Sequence, residues 1–502
     1  MENTQTRIIR YSTINFIGWI VSLTVTLLSV PFFISKISSD GYGIWVLVGS
    51  LTGYFSLLQL GIGPAVIKYI AQFHALNDEK SVCDVINAAL LFSLFVGIIA
   101  GIVIYFLSPF FVSLFHLPTS LYVQSLMSFR TGAIFYPVFL VSNVYVSVFI
   151  GYQHYVISNG LNITQISLTS IIGGILLVLN FGVVGLVIAG GIVDIVCIIV
   201  GQYLLYKMVK HYELKLSGAL SMLRKMFRYS IYVFISQLSQ VINARLAELI
   251  IGIVIGPSAV TFFNIPSRLI GYFSSGASSI SAVLFPFASE LQAGLDTERI
   301  KRTFLMATRY FTFLIVPFYF FVMVYSKSIL MLWLSDEIAK ESYKLMILYS
   351  IAYLIANMTT IPSQFLQGFG RVKFISQFSI GVLFVSLIAY YPLTKHMGII
   401  GAGFAMLTTQ IFGLIFIYYA LKVLNISLRE YISANGSPFL FGFISLLFSI
   451  LFTYLAKEYI SSVFLSFTLS FSFFSGFYYL LCASFSEMGT VMRKYYSSFV
   501  RR

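Results

Sequence analysis

The sequence predicts an all-α polytopic membrane protein with about 14 transmembrane helices, arranged as two parallel six-helix lobes plus two extra C-terminal helices. Three observations lead there. Apolar residues make up 59% of the chain and charged residues 10%, whereas a soluble domain carries about 25% charge. Apolar stretches long enough to cross a bilayer recur from end to end. Short motifs also recur at a constant offset of 216–218 residues.

About 20 apolar residues cross a hydrocarbon core. On that measure the spans fall near 11–35, 42–64, 85–108, 123–149, 161–180, 185–206, 231–255, 259–286, 304–325, 344–367, 374–394, 398–420, 438–456 and 462–482. The first stretch reads as a span rather than a cleaved signal, because it is long, lacks a small-residue cleavage site and is followed by many more. Residues 131–193 contain no Asp, Glu, Lys or Arg.

Orientation follows from the basic residues. With the N-terminus inside, 22 of the 31 Lys and Arg fall on inside segments and six outside. The largest inside groups are Lys207, Lys210, Lys215, Arg224, Lys225 and Arg228, then Arg299, Lys301, Arg302 and Arg309, and the tail Arg493, Lys494, Arg501 and Arg502. This bias places both termini in the cytoplasm. It also accounts for the net charge of +14 without nucleic acid, since the cytosolic face of such a protein meets anionic headgroups.

The duplication shows first in "RYSTINFI" from Arg10 and "RYSIYVFI" from Arg228, which match at five of eight positions. "FGVVGLVIAG" from Phe181 and "MGIIGAGFAM" from Met397 follow the same offset, pairing Gly182 with Gly398 and Gly185 with Gly401. Between them, "FIGYQHYVIS" and "FLQGFGRVKFIS" are both turns after a fourth span. Six spans per unit return the chain to its starting side, so the two units share one orientation, as in transporters with parallel repeats. The expected organisation is 1–210 and 225–425 as the two lobes, 438–482 as two additional helices, and 483–502 as a basic cytoplasmic tail.

Several chemistries lack sequence support. Cys83, Cys197 and Cys482 form no CxxC pair and no even set. The five histidines are scattered, with no HExxH, and no P-loop is present. "LGIGPAVI" lacks the strand context of a dinucleotide fingerprint and reads as close helix packing. No cofactor or metal site and no catalytic centre is expected.

Ionisable residues inside spans are costly and usually face a partner or a wet cavity. Arg130, Asp194, Arg245, Glu248 and Arg268 qualify. Arg245 and Glu248 lie three apart on one helical face and either neutralise each other or act separately. Arg268, in "NIPSRLIGYF", has no acid in its own span and is followed by "SSGASSISA", a serine run that suits either a water-lined face or tight packing. Arg130, near the outer end of span four, either snorkels or serves a site. Asp194 is the lone acid of a very apolar half and, with Glu248, a candidate for coupling to a proton or sodium ion. Arg10 and Lys68 sit at inner span ends, where they line an inner mouth or reach interfacial phosphates. Guanidinium groups donate paired hydrogen bonds that suit phosphate, so unpaired arginines in a central cavity point to an anionic substrate.

The order and spacing of several motifs resemble the Wzx-type polysaccharide and O-antigen repeat-unit flippases of the multidrug/oligosaccharidyl-lipid/polysaccharide (MOP) exporter superfamily. They are "DGYGIWVL" from Asp40, "LLQLGIGPAVIKYIAQ" from Leu57, "LFPFASEL" from Leu284, "MLWLSD" from Met331 and "GFGRVKF" from Gly368. Gln59 stands where members often carry an acid, which puts any coupling through that position in doubt. The resemblance implies a V-shaped pair of lobes around a basic cavity in the bacterial inner membrane. It further implies transport of an undecaprenyl-diphosphate-linked oligosaccharide from the cytosolic to the periplasmic leaflet, with polysaccharide polymerase machinery as a further partner. Arg268, Arg245, Lys68, Arg10 and Arg130 are the substrate-binding candidates. A drug/cation antiporter of the same superfamily is the alternative and would need Asp194 or Glu248. A membrane glycosyltransferase or polymerase is more distant, because the longest outside segment, Ser326–Lys344, is only 19 residues.

Overall fold

A computed structural model of the chain describes residues 4–59, 61–115, 117, 119–209, 218–281, 284, 288, 297–456 and 463–485. Side chains are described for these except 4–17, 119, 155, 228–241, 243, 244, 279, 280, 372, 456, 463, 464 and 483–485. The side chains of Arg10 and Arg228, most of "LFPFASEL", Lys210, Lys215 and the basic tail from 486 therefore lie outside the described residues.

Among the described residues fourteen helices follow one another: α1 (Thr4–Phe55), α2 (Ile62–Ala75), α3 (Glu79–Leu114), α4 (Tyr122–Gly151), α5 (Tyr155–Val178), α6 (Gly182–Met208), α7 (Ala219–Val254), α8 (Pro257–Ser281), α9 (Thr297–Trp333), α10 (Asp336–Met358), α11 (Thr360–Gly368), α12 (Val372–Val423), α13 (Leu428–Ala456) and α14 (Val463–Phe485). There is no strand among the described residues. Ten helices or helix pairs are long and apolar enough to cross a membrane. α1 and α12 each contain a sharp break, at Ser38 and Gly398, and α7 and α8, which carry Arg245, Glu248 and Arg268, are not among the ten.

The chain packs as two units, Met1–Asn264 and Ile265–Arg502. In the first, α4 is the hub, in contact with α2, α3, α5 and α6, while α7 packs on α1, α2 and α3. In the second, α9 contacts α10, α13 and α14, and α12 contacts α10 and α11. Hydroxyl and amide groups hold the last two helices in place. Tyr325 on α9 meets the hydroxyls of Ser449 and Thr453 on α13, both at 2.8 Å, and Thr453 reaches Ser470 on α14 at 2.7 Å. Toward the opposite end of α9, Thr312 donates to Asn435 at 2.8 Å.

The duplication is written into the backbone. Left-handed residues fall at Ser38 and Gly256 (offset 218), at Gln153 and Gly370 (offset 217), and at Gly182 and Gly398 (offset 216). In each pair a positive φ recurs at the corresponding position of the expected repeat. Ser38 is the strained member: φ 63° with ψ 174° is a region that glycine alone enters freely.

The bend at Ser38 is also clasped. Ser258, the second residue of α8, donates to the Asp40 carboxylate, and the Thr261 hydroxyl donates to the Ser39 carbonyl at 2.6 Å. A methyl on Gly43 would sit 1.9 Å from the Pro257 carbonyl oxygen, so this position admits glycine only. Asp40 and Gly43 in "DGYG" thus bind the start of α8.

The second traverse departs from the continuous span 42–64. After α1 a 3-10 turn spans Ser56–Gln59, Gly61 is left-handed, and α2 starts afresh at Ile62. Breaks inside a membrane persist only where protein groups cover the freed backbone. The Gln59 amide lies within this break and donates to the Ser93 hydroxyl (3.3 Å) and the Leu140 carbonyl (3.4 Å).

Two outcomes are expected. Replacing Ser38 by Gly relieves about 1 kcal/mol of strain and raises the melting temperature in detergent, whereas Gly256→Ala lowers it. Replacing Gln59 by Glu sets an acceptor against the Leu140 carbonyl and costs about 1–3 kcal/mol by the same measurement.

Candidate functional site

The ionisable residues singled out in the sequence fall into distinct settings. Arg245 and Glu248 are brought together. On α7, Arg245 Nη1 lies 3.3 Å from Glu248 Oε2. Glu248 is 7% exposed and accepts two further hydrogen bonds. One comes from Asn264 Nδ2 on α8 to Oε1 at 2.6 Å, the other from the Ser50 hydroxyl on α1. Residues of α1, α7 and the first part of α8, all within the first unit, therefore converge on one carboxylate. The guanidinium lies along α1 where Gly53 leaves room, since a methyl there would stand 3.2 Å from Arg245 Nε. The Arg245 side chain remains 40% exposed, so the arginine still presents donors outward. Sequence spacing finds the pair but misses Ser50, Gly53 and Asn264, whose partners lie 198, 192 and 16 residues away.

Arg268 belongs to the second unit and Arg245 to the first. It is half-buried and partnered. Its α8 face also carries Gly271 and Ser275 at helical spacing. The serine run divides between its two readings. Ser274 is packed, bonded to Asn357 on α10, whose amide donates to Tyr319 at 2.7 Å. Ser275 is exposed, its hydroxyl returned to the Gly271 carbonyl at 2.9 Å. Phe273 stacks on Phe318 with ring centroids 3.5 Å apart.

Asp194 on α6 is 5% exposed. Its Oδ1 accepts from Ser142 on α4 (2.9 Å) and Gln165 on α5 (2.6 Å). It makes no ion pair among the described residues. Arg130 is not its partner: Ser142 lies 12 residues further along α4, about 18 Å on a helix.

Arg130 is neither paired with an acid among the described residues nor extended into the core of the bundle. Its guanidinium lies 4.9 Å from the ring centre of Tyr105 on α3, and its Nε is buried without an acceptor. An arginine within a span costs about 2.5–3.5 kcal/mol on insertion scales, and one ring contact returns only about 0.5–2.

Lys68 is exposed on α2, its Nζ 5.0 Å from the Tyr69 ring centre. Lys225 at the start of α7, which the sequence reading did not select, approaches the same ring at 5.6 Å and Phe73 at 4.9 Å. The Tyr69 hydroxyl donates to the Lys225 carbonyl at 3.3 Å. Among the described residues no group of three His, Cys, Asp or Glu could hold a metal ion.

The helices and their apolar pattern define an all-α polytopic membrane protein. The model of the family described as "Polysaccharide biosynthesis protein" matches residues 37–341, and the chain belongs to that family. A protein of Shigella flexneri called "Putative O-antigen transporter" is 20% identical over 406 residues, covering 79% of this chain and 93% of its own. Among solved structures, the lipid II flippase MurJ in an inward closed conformation superposes with a TM-score of 0.70 at 16% identity, covering 95% of this chain and 98% of that one. An inward-facing multidrug resistance MATE family transporter of the MOP superfamily gives 0.63 at 15% identity, with 81% and 98% covered. At such identities these two establish the fold alone.

The Glu248 junction yields a prediction. Replacing Glu248 by Leu strands the Asn264 amide and the Ser50 hydroxyl and is expected to cost about 1–3 kcal/mol in detergent unfolding. Arg245→Gln, at a side chain still two-fifths exposed, costs less than half as much.

Proposed function

We propose that this protein is a flippase that carries an undecaprenyl-diphosphate-linked oligosaccharide from the cytosolic to the periplasmic leaflet for surface polysaccharide assembly. The observation that carries the reading is an arginine kept available for an anion. Arg245 shares its carboxylate with two other donors and leaves 40% of its side chain exposed. A guanidinium held in place by a saturated acid offers paired donors to a phosphate without having to leave its partner. Family membership and the O-antigen transporter of Shigella flexneri support the substrate class.

In this reading Arg268 is a further substrate-binding candidate. Lys68 and Lys225, gathered by Tyr69, meet the headgroup at the cytosolic entrance, and Arg10 assists them. In this reading the protein sits in the inner membrane with both termini cytoplasmic, an orientation that the 22-to-6 distribution of basic residues supports. Asp194 is the coupling site for a proton or sodium ion. Its carboxylate is buried with neutral donors only, and burying it ionised carries a cost that a proton or cation removes.

The test is complementation of a strain lacking its own flippase. Arg268→Ala and Arg245→Ala should each abolish or sharply reduce surface polymer while inserting normally. Wild-type polymer levels from both variants at matched expression would overturn the reading. Asp194→Asn should leave substrate binding intact but make export insensitive to collapse of the ion gradient.

A further inference from the structure

We propose that Arg130 and the groove between α3 and α4 form a binding site for a glycerophospholipid of the surrounding bilayer. The guanidinium takes the phosphodiester and the groove takes an acyl chain. The groove encloses about 240 Å³ and is lined by Ile98, Ile102, Tyr105 and Phe106 of α3 and by Ala133 and Ile134 of α4. Ile98, Ile102, Phe106 and Ile134 are all exposed, so the groove opens on the outer surface of its unit. In a bilayer that surface meets lipid chains.

What sets this groove apart is the cation at one end. Arg130 precedes Ala133 and Ile134 by three and four residues and shares their face. Helical side chains lean toward the helix N-terminus, which puts the guanidinium at the end nearer the α3–α4 connection. Tyr105, itself a wall of the groove, carries the guanidinium on its ring. Nε is buried without an acceptor and out of a lipid's reach; the terminal nitrogens, which make no hydrogen bond and no carboxylate pair among the described residues, are the donors left for a phosphodiester. An unspent planar donor at the head of an apolar trough matches a lipid in both parts. Phosphodiester oxygens accept the N–H groups, and the chain follows the trough toward the middle of the helices.

The trough is held in shape by close helix contact. A methyl on Gly101 would stand 2.5 Å from the Ala133 carbonyl oxygen, and one on Gly97 would stand 2.5 Å from Pro137 Cα. The charge count selects the occupant. The only other basic residue of α3 and α4 is Lys80, 25 residues from Tyr105, or about 37 Å along the helix. One cation suits the single charge of a phosphodiester, whereas a diphosphate calls for more donors. The site does not rest on the transport reading and stands or falls apart from it.

The test uses the full-length protein in detergent, offered phosphatidylglycerol, phosphatidylethanolamine or undecaprenyl diphosphate, with retained lipid counted by native mass spectrometry. Wild type should retain phosphatidylglycerol best. Arg130→Gln should weaken that retention roughly tenfold, the scale of a lost charged hydrogen bond. Ile102→Trp, which fills the trough but leaves Arg130 in place, should weaken it as well. Its position is exposed, so it carries the test alone if Arg130→Gln does not fold. Undiminished phosphatidylglycerol in the folded variants would overturn the proposal. So would preferential, Arg130-dependent retention of undecaprenyl diphosphate, which would assign the trough to the transported substrate.

Discussion

Hydrocarbon offers no hydrogen bonds, so every helix break in this chain must be closed by the protein itself. The bend at Ser38 is closed from α8 by Ser258 and Thr261, and the gap after Phe55 carries the Gln59 amide. The three left-handed turns shared by the two repeats follow from the same constraint. A chain that must reverse between bilayer-length helices does so in a few residues, and once a working turn exists duplication copies it. The copies differ where their surroundings differ. Gly256 enters its turn freely, while Ser38 accepts strain at a bend clasped by the start of α8.

The same solvent governs the charges, and the protein answers it in different ways. Glu248 is neutralised by a cation and saturated by neutral donors. Asp194 receives neutral donors from two neighbouring helices and no cation among the described residues. Arg130 rests on an aromatic face with a donor unspent. These settings separate roles that composition alone runs together. A saturated pair gives a fixed, oriented guanidinium. A carboxylate among neutral donors carries the cost of its burial with hydrogen bonds alone to offset it. A half-satisfied arginine beside a lipid-facing trough calls for an anion from outside the chain.

Much of the architecture was legible because it depends on short-range pattern. The length of apolar runs gives the number of crossings, and the recurrence of "RYS" and of "GVVG" against "GIIG" gives the repeat. The (i, i+3) spacing of Arg245 and Glu248 brings them together by helical geometry alone. The break in the second span was not legible. Leu57–Gly61 is as apolar as any helix, and only the partners of Gln59 on α3 and α4 reveal why the helix stops there. Ser50 and Gly53 escaped notice, and Lys225 counted only toward orientation, for a related reason: each looks ordinary locally and gains its contacts from a residue distant in sequence.

By itself the sequence determined an all-α membrane chain with apolar stretches of bilayer length from end to end and motifs recurring at a fixed offset, because hydropathy, helix length and motif offset act along the chain. Tertiary structure alone decided which charged residues are paired, which are buried among neutral donors and which remain unspent. Those outcomes depend on contacts between helices, such as α1 and α8 at Glu248 or α3 beneath Arg130, and no property of a single helix encodes them.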